Sequence, residues 1–209
     1  IHLTERAHAL GVDGMLIVTP YYSKPPQRGI VAHFEAVAAA TDRPVIAYNI
    51  PSRVVVNIEP STIARLAEIE NVRAVKQAAQ PADEESQARN VVDCGLDLYA
   101  GDDDLILPFL RLGGVGGICV HTHVVGPRVK ELVDRFHAGD VASAEAIDEE
   151  LRPAIELLRV DLLHGLKRVR EARVPAPDEL VEASATIEER VQFYNTGPFQ
   201  IPGVIAMEI

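Results

Sequence analysis

"VRAVKQA" (residues 72–78) is the stretch that decides the reading, because Val72, Ala74 and Val75 make an apolar run of strand length that ends in a lysine, Lys76. Similar runs lie on both sides. "GMLIVTP" (14–20) and "PVIAYNIP" (44–51) come before it, and "LDLYAGD" (96–102) and "GVGGICVH" (114–121) come after. Between them lie helical patterns near 27–41, 60–69, 82–94 and 103–112. Near-continuous apolar strands alternating with helices predict parallel strands covered on both faces, and so an α/β fold with right-handed crossovers.

An open doubly wound sheet and a closed barrel both satisfy that pattern, and the polar residues choose between them. Thr19 with Tyr21 and Tyr22, Tyr48 with Arg53, Lys76, and Gly101 with Asp102 all fall at or just after the carboxyl end of a strand. In a barrel those ends converge on one mouth. The expectation is therefore a (β/α)8 TIM barrel, incomplete, with about five of the eight units present and C-terminal helices. Residues 1–125 form the partial barrel and 126–160 the helical region, with 127–159 reading as one long helix or a helix pair; 161–209 are a tail that departs from the pattern. "IHLTERAHALG" places Leu3, Ala7 and Leu10 at helical spacing before Gly11, so the chain reads as beginning in mid-domain, with the missing units upstream of Ile1.

Composition limits the function classes. The chain has 209 residues, 47% hydrophobic and 24% charged, which suits a packed soluble domain. A formal charge of −11, without clustered Lys and Arg, argues against a nucleic-acid surface. Small molecules and further copies of the chain are the expected partners. No apolar run reaches the about eighteen residues a membrane span needs. Cys94 and Cys119 have neither metal-site nor disulfide-framework spacing, so the expected compartment is reducing, that is, cytoplasmic.

A lysine at a strand end can simply snorkel its amine into solvent. Company changes that reading: at a barrel mouth beside tyrosines and an arginine, an amine is desolvated and near another cation, and its pKa falls. A neutral lysine amine is a nucleophile able to form a Schiff base with a carbonyl substrate.

"TPYYSKP" (19–25), "YNIPSR" (48–53), "VKQA" (75–78), "YAGDDD" (99–104) and "GGICV" (116–120), in this order, resemble the dihydrodipicolinate synthase family. More broadly they are similar to the pyruvate-dependent class I aldolases that include N-acetylneuraminate lyase. The resemblance covers roughly residues 1–150. It implies a (β/α)8 barrel, usually tetrameric, that condenses pyruvate with L-aspartate 4-semialdehyde to 4-hydroxy-tetrahydrodipicolinate on the diaminopimelate route to lysine. Lys76 matches the imine-forming lysine, so no cofactor is expected beyond that covalent imine. Tyr48 matches the tyrosine that relays protons, and Tyr22 the tyrosine lent across a dimer interface. Arg53 corresponds to the arginine that binds the aldehyde's carboxylate, a task its planar fork of donors suits. Arg53 is also what favours the synthase over a lyase acting on a sugar acid. Gly101 and Ile118 would place backbone groups near the pyruvate carboxylate and the imine.

Three departures accompany the resemblance. The family's Gly-Thr-Thr-Gly-Glu segment, with the threonine that links the two tyrosines, is absent from this sequence, so a catalytically inactive fragment is the alternative reading. Gln77 stands where many relatives carry an acidic residue. The tail from about residue 160 fits the family pattern poorly.

Other motifs have plain readings. "GGVGG" (113–117) lacks the Lys-Ser/Thr of a phosphate loop and is read as tight packing. His121 and His123 lack a third ligand at a supporting spacing, Asp102, Asp103 and Asp104 read as caps of the next helix, and Cys119 reads as a small core residue. No metal is expected.

Overall fold

The computed structural model describes residues 1–78 and 84–159, together with the backbone of a strand at 205–208. The chain begins with α1 (His2–Ala9), which ends where Gly11 turns at φ +78°. Then β1 (Gly14–Val18), α2 (Gln27–Ala38), β2 (Val45–Asn49), the short α3 (Pro51–Val54), α4 (Pro60–Ala67) and β3 (Val72–Gln77) follow. Next come α5 (Glu84–Asp93), β4 (Asp97–Ala100), a 3-10 turn (Asp103–Leu105), α6 (Ile106–Arg111) and β5 (Gly116–Gly117). A helix pair, α7 (Thr122–His137) and α8 (Val141–Arg159), packs beside them, and β6 (Ile205–Glu208) is the last described element.

Helix starts follow local chemistry. Prolines at the first turns of α3 and α4 have no N–H to leave unpaired, and their fixed φ suits a helix start. Gln27 ties two helices together: its Oε1 accepts from the Glu59 N–H at 3.1 Å and the Thr62 hydroxyl at 2.7 Å. The region expected as one helix or a pair is a pair, with non-helical backbone at Val125 just before Pro127.

All strand pairings are parallel, in the order β5-β4-β3-β2-β1-β6. Alternation along the strands sorts residues onto two faces. Met15, Ile17, Val45, Ala47, Val75, Leu98 and Ala100 join Phe34, Leu66, Val91 and Phe109 in the large core beneath the helices. Leu16, Ile46, Ala74, Tyr99, Val115 and Ile118 form a smaller apolar cluster on the other face, with Tyr48 packed against it. Neighbouring strands carry Tyr48 and Lys76 on that second face, which would be the interior of a barrel.

Two details differ from the sequence reading. The strand expected over 114–121 pairs only at Gly116 and Gly117. A Cβ on Gly117 would come within 2.7 Å of Ile106 Cγ1 and 2.9 Å of Cys119 Sγ, so any larger residue would have to displace those side chains. Second, the tail contributes β6, which pairs with the outer edge of β1 from Gly14↔Ile205 to Ile17↔Glu208. An opened barrel has two edge strands, and on the β1 side the edge is covered. The rest of the tail, 161–204 and 209, lies outside the described residues.

Candidate active site

β3 carries Lys76 inward, 7% exposed, between tyrosines on both neighbouring strands. The register pairs it with Tyr48 on β2 and with Tyr99 on β4. Its Nζ stands 4.0 Å from the centroid of the Tyr48 ring. Burial lowers the amine's pKa, against the pull of Cys119, Asp102 and Asp103, which favour the charged form. Burial likewise pushes the Tyr48 phenol up to about 12, helped by Asp102 and Cys119 and opposed by Arg53. Tyr48 therefore keeps its proton at neutral pH and can donate it.

Arg53 is exposed on α3, close enough to Tyr48 for its charge to act on the phenol. The chain leaves α3 through a tight turn, where Val55 takes a left-handed conformation at φ +69°. Gly101 closes against β3, with its N–H donating to the Gln77 carbonyl at 2.8 Å. A Cβ there would meet Ala78 Cβ at 2.8 Å and Gln77 O at 2.9 Å. Ile118 is buried, and its N–H donates to the Ala100 carbonyl at 2.9 Å. Lys76, Tyr48, Arg53, Gly101 and Ile118 thus gather at the carboxyl ends of adjacent strands. Tyr22 is different: in the bend after β1 it is 94% exposed, turned to solvent while Lys76 and its neighbours are covered.

The acidic run corrects the capping expectation. Asp102 occupies the N-cap position of the 3-10 turn without a side-chain cap bond. Asp103 reaches across to the loop after β5, where its Oδ1 accepts from the His121 backbone N–H at 3.1 Å and meets His121 Nδ1 at 2.8 Å. Those bonds outweigh the burial of Asp103 and hold its carboxyl below the usual range. The third ligand that was missing beside His121 also comes from elsewhere in the chain. Asp103, Cys119 and His121 each place one ligand atom within 4.8 Å of the others, while His123 is exposed on α7. Cys119 Sγ lies 3.3 Å from the Ala100 carbonyl oxygen.

Sequence reading also missed an amide network behind the site. Gln87 Oε1 on α5 accepts from Asn49 Nδ2 at 3.3 Å and from Gln77 Nε2 at 3.2 Å, and Asn49 Nδ2 also donates to Asn57 Oδ1 at 2.8 Å. These side chains lie on the helix-covered face, one residue beyond Tyr48 and Lys76, and tie the ends of β2 and β3 to α5.

Residues 1–172 match the model of the dihydrodipicolinate synthetase family. The chain belongs to that family. A 4-hydroxy-tetrahydrodipicolinate synthase of Moorella thermoacetica is 45% identical over 158 residues, 76% of this chain and 54% of the relative. One from Listeria monocytogenes serotype 4a is 41% identical over 198 residues, 95% of this chain and 61% of that protein. Among solved structures, dihydrodipicolinate synthase from Aquifex aeolicus superposes with a TM-score of 0.73 at 38% identity, covering 77% of this chain and 55% of that one. The 4-hydroxy-tetrahydrodipicolinate synthase of Methylacidiphilum fumariolicum does so with a TM-score of 0.74 at 33% identity, covering 94% and 63%. The chain spans about half the length of the first curated relatives it matches. The parallel sheet with its helices is accordingly part of a (β/α)8 barrel. Among the described residues, no helix is long and apolar enough to cross a membrane.

Proposed function

We propose that this chain carries the Schiff-base half of a 4-hydroxy-tetrahydrodipicolinate synthase, which condenses pyruvate with L-aspartate 4-semialdehyde in diaminopimelate and lysine biosynthesis. One observation carries the reading: a lysine amine buried on the inner face of a family barrel, with lowered pKa, lies against the ring of a tyrosine that holds its proton.

In the proposed reaction, the neutral Lys76 amine adds to the pyruvate ketone, and the resulting carbinolamine loses water to give a protonated imine. Loss of a methyl proton then yields an enamine, because the cationic nitrogen accepts the electron pair. The enamine carbon attacks the aldehyde. Hydrolysis or cyclisation afterwards frees Lys76. Tyr48 donates and recovers the protons of the first steps, its phenol being both donor and acceptor. Arg53, exposed beside it, suits the carboxylate of the aldehyde. The backbone at Gly101 and Ile118 is proposed to lie near the pyruvate carboxylate and the imine. No cofactor is required beyond the covalent imine.

Tyr22 is proposed to act in a neighbouring subunit of a homodimer or homotetramer, which fits its exposure here. The proposed location is the cytoplasm. Borohydride reduction with pyruvate, followed by intact mass and peptide mapping, tests the reading. An adduct on Lys76 supports it. Absence of an adduct both here and in a version extended upstream would overturn it, while an adduct only in the extended version would assign completion of the site to the added strands.

A further inference from the structure

Asp103 leaves the barrel in the 3-10 turn after β4, and Cys119 and His121 leave it after β5, so two separate loops deliver three different metal-ligating groups to one point. The point is sheltered. Cys119 is 6% exposed, the His121 side chain 1% and the Asp103 side chain 11%. His121 and Asp103 are already joined by the 2.8 Å contact, which orients the ring. The Cys119 thiol donates toward the Ala100 and Asp102 carbonyl oxygens at 3.3 and 3.4 Å, contacts that hold the sulfur in place and that it gives up when its proton leaves.

We infer that Asp103, Cys119 and His121 form a binding site for a thiophilic divalent cation of the zinc class, at the mouth of the barrel beside the Lys76 face. The donor set selects the ion: one sulfur and one imidazole favour zinc or cobalt over magnesium or calcium, which take oxygen ligands. Zinc bond lengths of about 2.0–2.3 Å place tetrahedral ligands roughly 3.3–3.6 Å apart, so ligand atoms at the present 4.8 Å limit must draw in by about 1.2–1.5 Å. A carboxylate has lone pairs enough to keep the His121 backbone N–H while it ligates. Three protein ligands leave a fourth position for water.

Binding balances as follows. The Cys119 thiol loses its proton to solvent as the sulfur–metal bond forms, His121 coordinates as the neutral ring, and Asp103 is already ionised. With one thiolate and one carboxylate the loaded site is neutral. Its loops are those that carry Gly101 and Ile118, so the ion would fasten the rim of the barrel next to the reactive lysine. Nothing in this depends on whether Lys76 forms an imine.

The test is titration of the 209-residue chain with cobalt(II), followed by displacement with zinc(II). A single strong equivalent is expected, with a near-ultraviolet thiolate-to-cobalt charge-transfer band, tetrahedral visible bands and about one proton released per ion. Cys119→Ser should remove the charge-transfer band, and His121→Asn should weaken binding about tenfold or more. Cys94→Ser should change neither. Circular dichroism checks that the near-isosteric Cys119→Ser variant is folded, and the unmodified chain alone supplies the band and the proton count. No charge-transfer band in the unmodified chain would mean a hydrogen-bonded clip only, and a band that survives Cys119→Ser would place the cobalt elsewhere; either overturns the assignment.

Discussion

Lys76 Nζ lies 4.0 Å from the centre of the Tyr48 ring, on paired positions of β3 and β2. The ring face favours a cation, but burial has the larger influence and lowers the amine's pKa. A folded-state pKa below the unfolded one means the unfolded chain binds more protons between the two values. Stability therefore rises with pH across that window, which ends near the ordinary lysine value of about 10.4. Below the window the fold bears the full cost of the buried charge. Lys76→Met should abolish the borohydride-trapped pyruvate adduct and raise stability at neutral pH by about 1 kcal/mol or more. Denaturant melts at several pH values should show the gap between the two proteins closing as pH rises through the window. A variant less stable than the parent at pH 7 would contradict the account.

Arg53 should separate the two substrates. It is exposed on α3 and acts on Tyr48 through charge, so Arg53→Ala should leave pyruvate trapping on Lys76 nearly intact. Consumption of the unreduced imine–enamine by a carboxylate-bearing aldehyde should slow by about 10–100-fold, the worth of a charged hydrogen-bond pair. Adding borohydride at intervals after the aldehyde, in a version competent for turnover, and measuring the adduct still trappable distinguishes this from a general loss of structure. Equal loss of both steps would argue against a selective role.

Much of this site was legible in the sequence because strand alternation and the family motifs act along the chain. The five core strands, the helices between them and the inward placement of Lys76 and Tyr48 all follow from period and position. Residues that meet across loops were not legible: Asp103 looks like a helix cap beside Gly101, and only the fold turns it toward His121, 18 positions away. In the sequence, Tyr99 stands only as one residue of "YAGDDD". Its place beside Lys76 follows from the β3–β4 register, which a single sequence leaves open. The amide network was hidden for a similar reason, since Gln87 reads as one more polar residue of an amphipathic helix.

That network predicts an asymmetry. Gln87 Oε1 accepts from both Asn49 and Gln77, whereas the buried Gln77 Oε1 has no hydrogen-bond partner among the described residues. Gln87→Leu takes the acceptor from the Gln77 amide and one of two from Asn49, which keeps Asn57, and should cost about 1–3 kcal/mol. Gln77→Leu loses a donor but also an unpaired acceptor, so its cost should be clearly smaller. Gln77→Glu sets a carboxylate against the Gln87 oxygen at neutral pH and should destabilise unless protonated, so its stability should fall as pH rises through the raised carboxyl pKa. Chemical denaturation of the three variants at pH 5 and pH 8 gives the comparison.

Gly101 is required by space rather than by backbone angle, since a Cβ would press into both Ala78 Cβ and the Gln77 carbonyl oxygen. Gly101→Ala should therefore force β3 and β4 apart at the point where Lys76 is held, at a cost of about 1–3 kcal/mol. Gly11 offers the contrast: nothing lies within 4 Å of its Cβ position, and the cost of alanine there comes from its φ of +78° alone. Gly11→Ala should lower the melting temperature without affecting imine trapping, whereas Gly101→Ala should do both. Trapping yields per folded molecule, measured alongside thermal melts, settle the difference.

Covering the β1 edge should matter for solubility. β6 pairs in parallel with β1 over four register positions, Gly14↔Ile205 to Ile17↔Glu208, and so occupies backbone groups that would otherwise template another chain. Removing residues 205–209 returns that edge to solvent while leaving the Lys76 side of the sheet unchanged. The shortened chain should self-associate at lower concentration than the parent in light scattering, and charged substitutions on β1 would be poor remedies because Met15, Leu16 and Ile17 are buried. Equal association of the two chains would show that β6 does not protect this edge in solution.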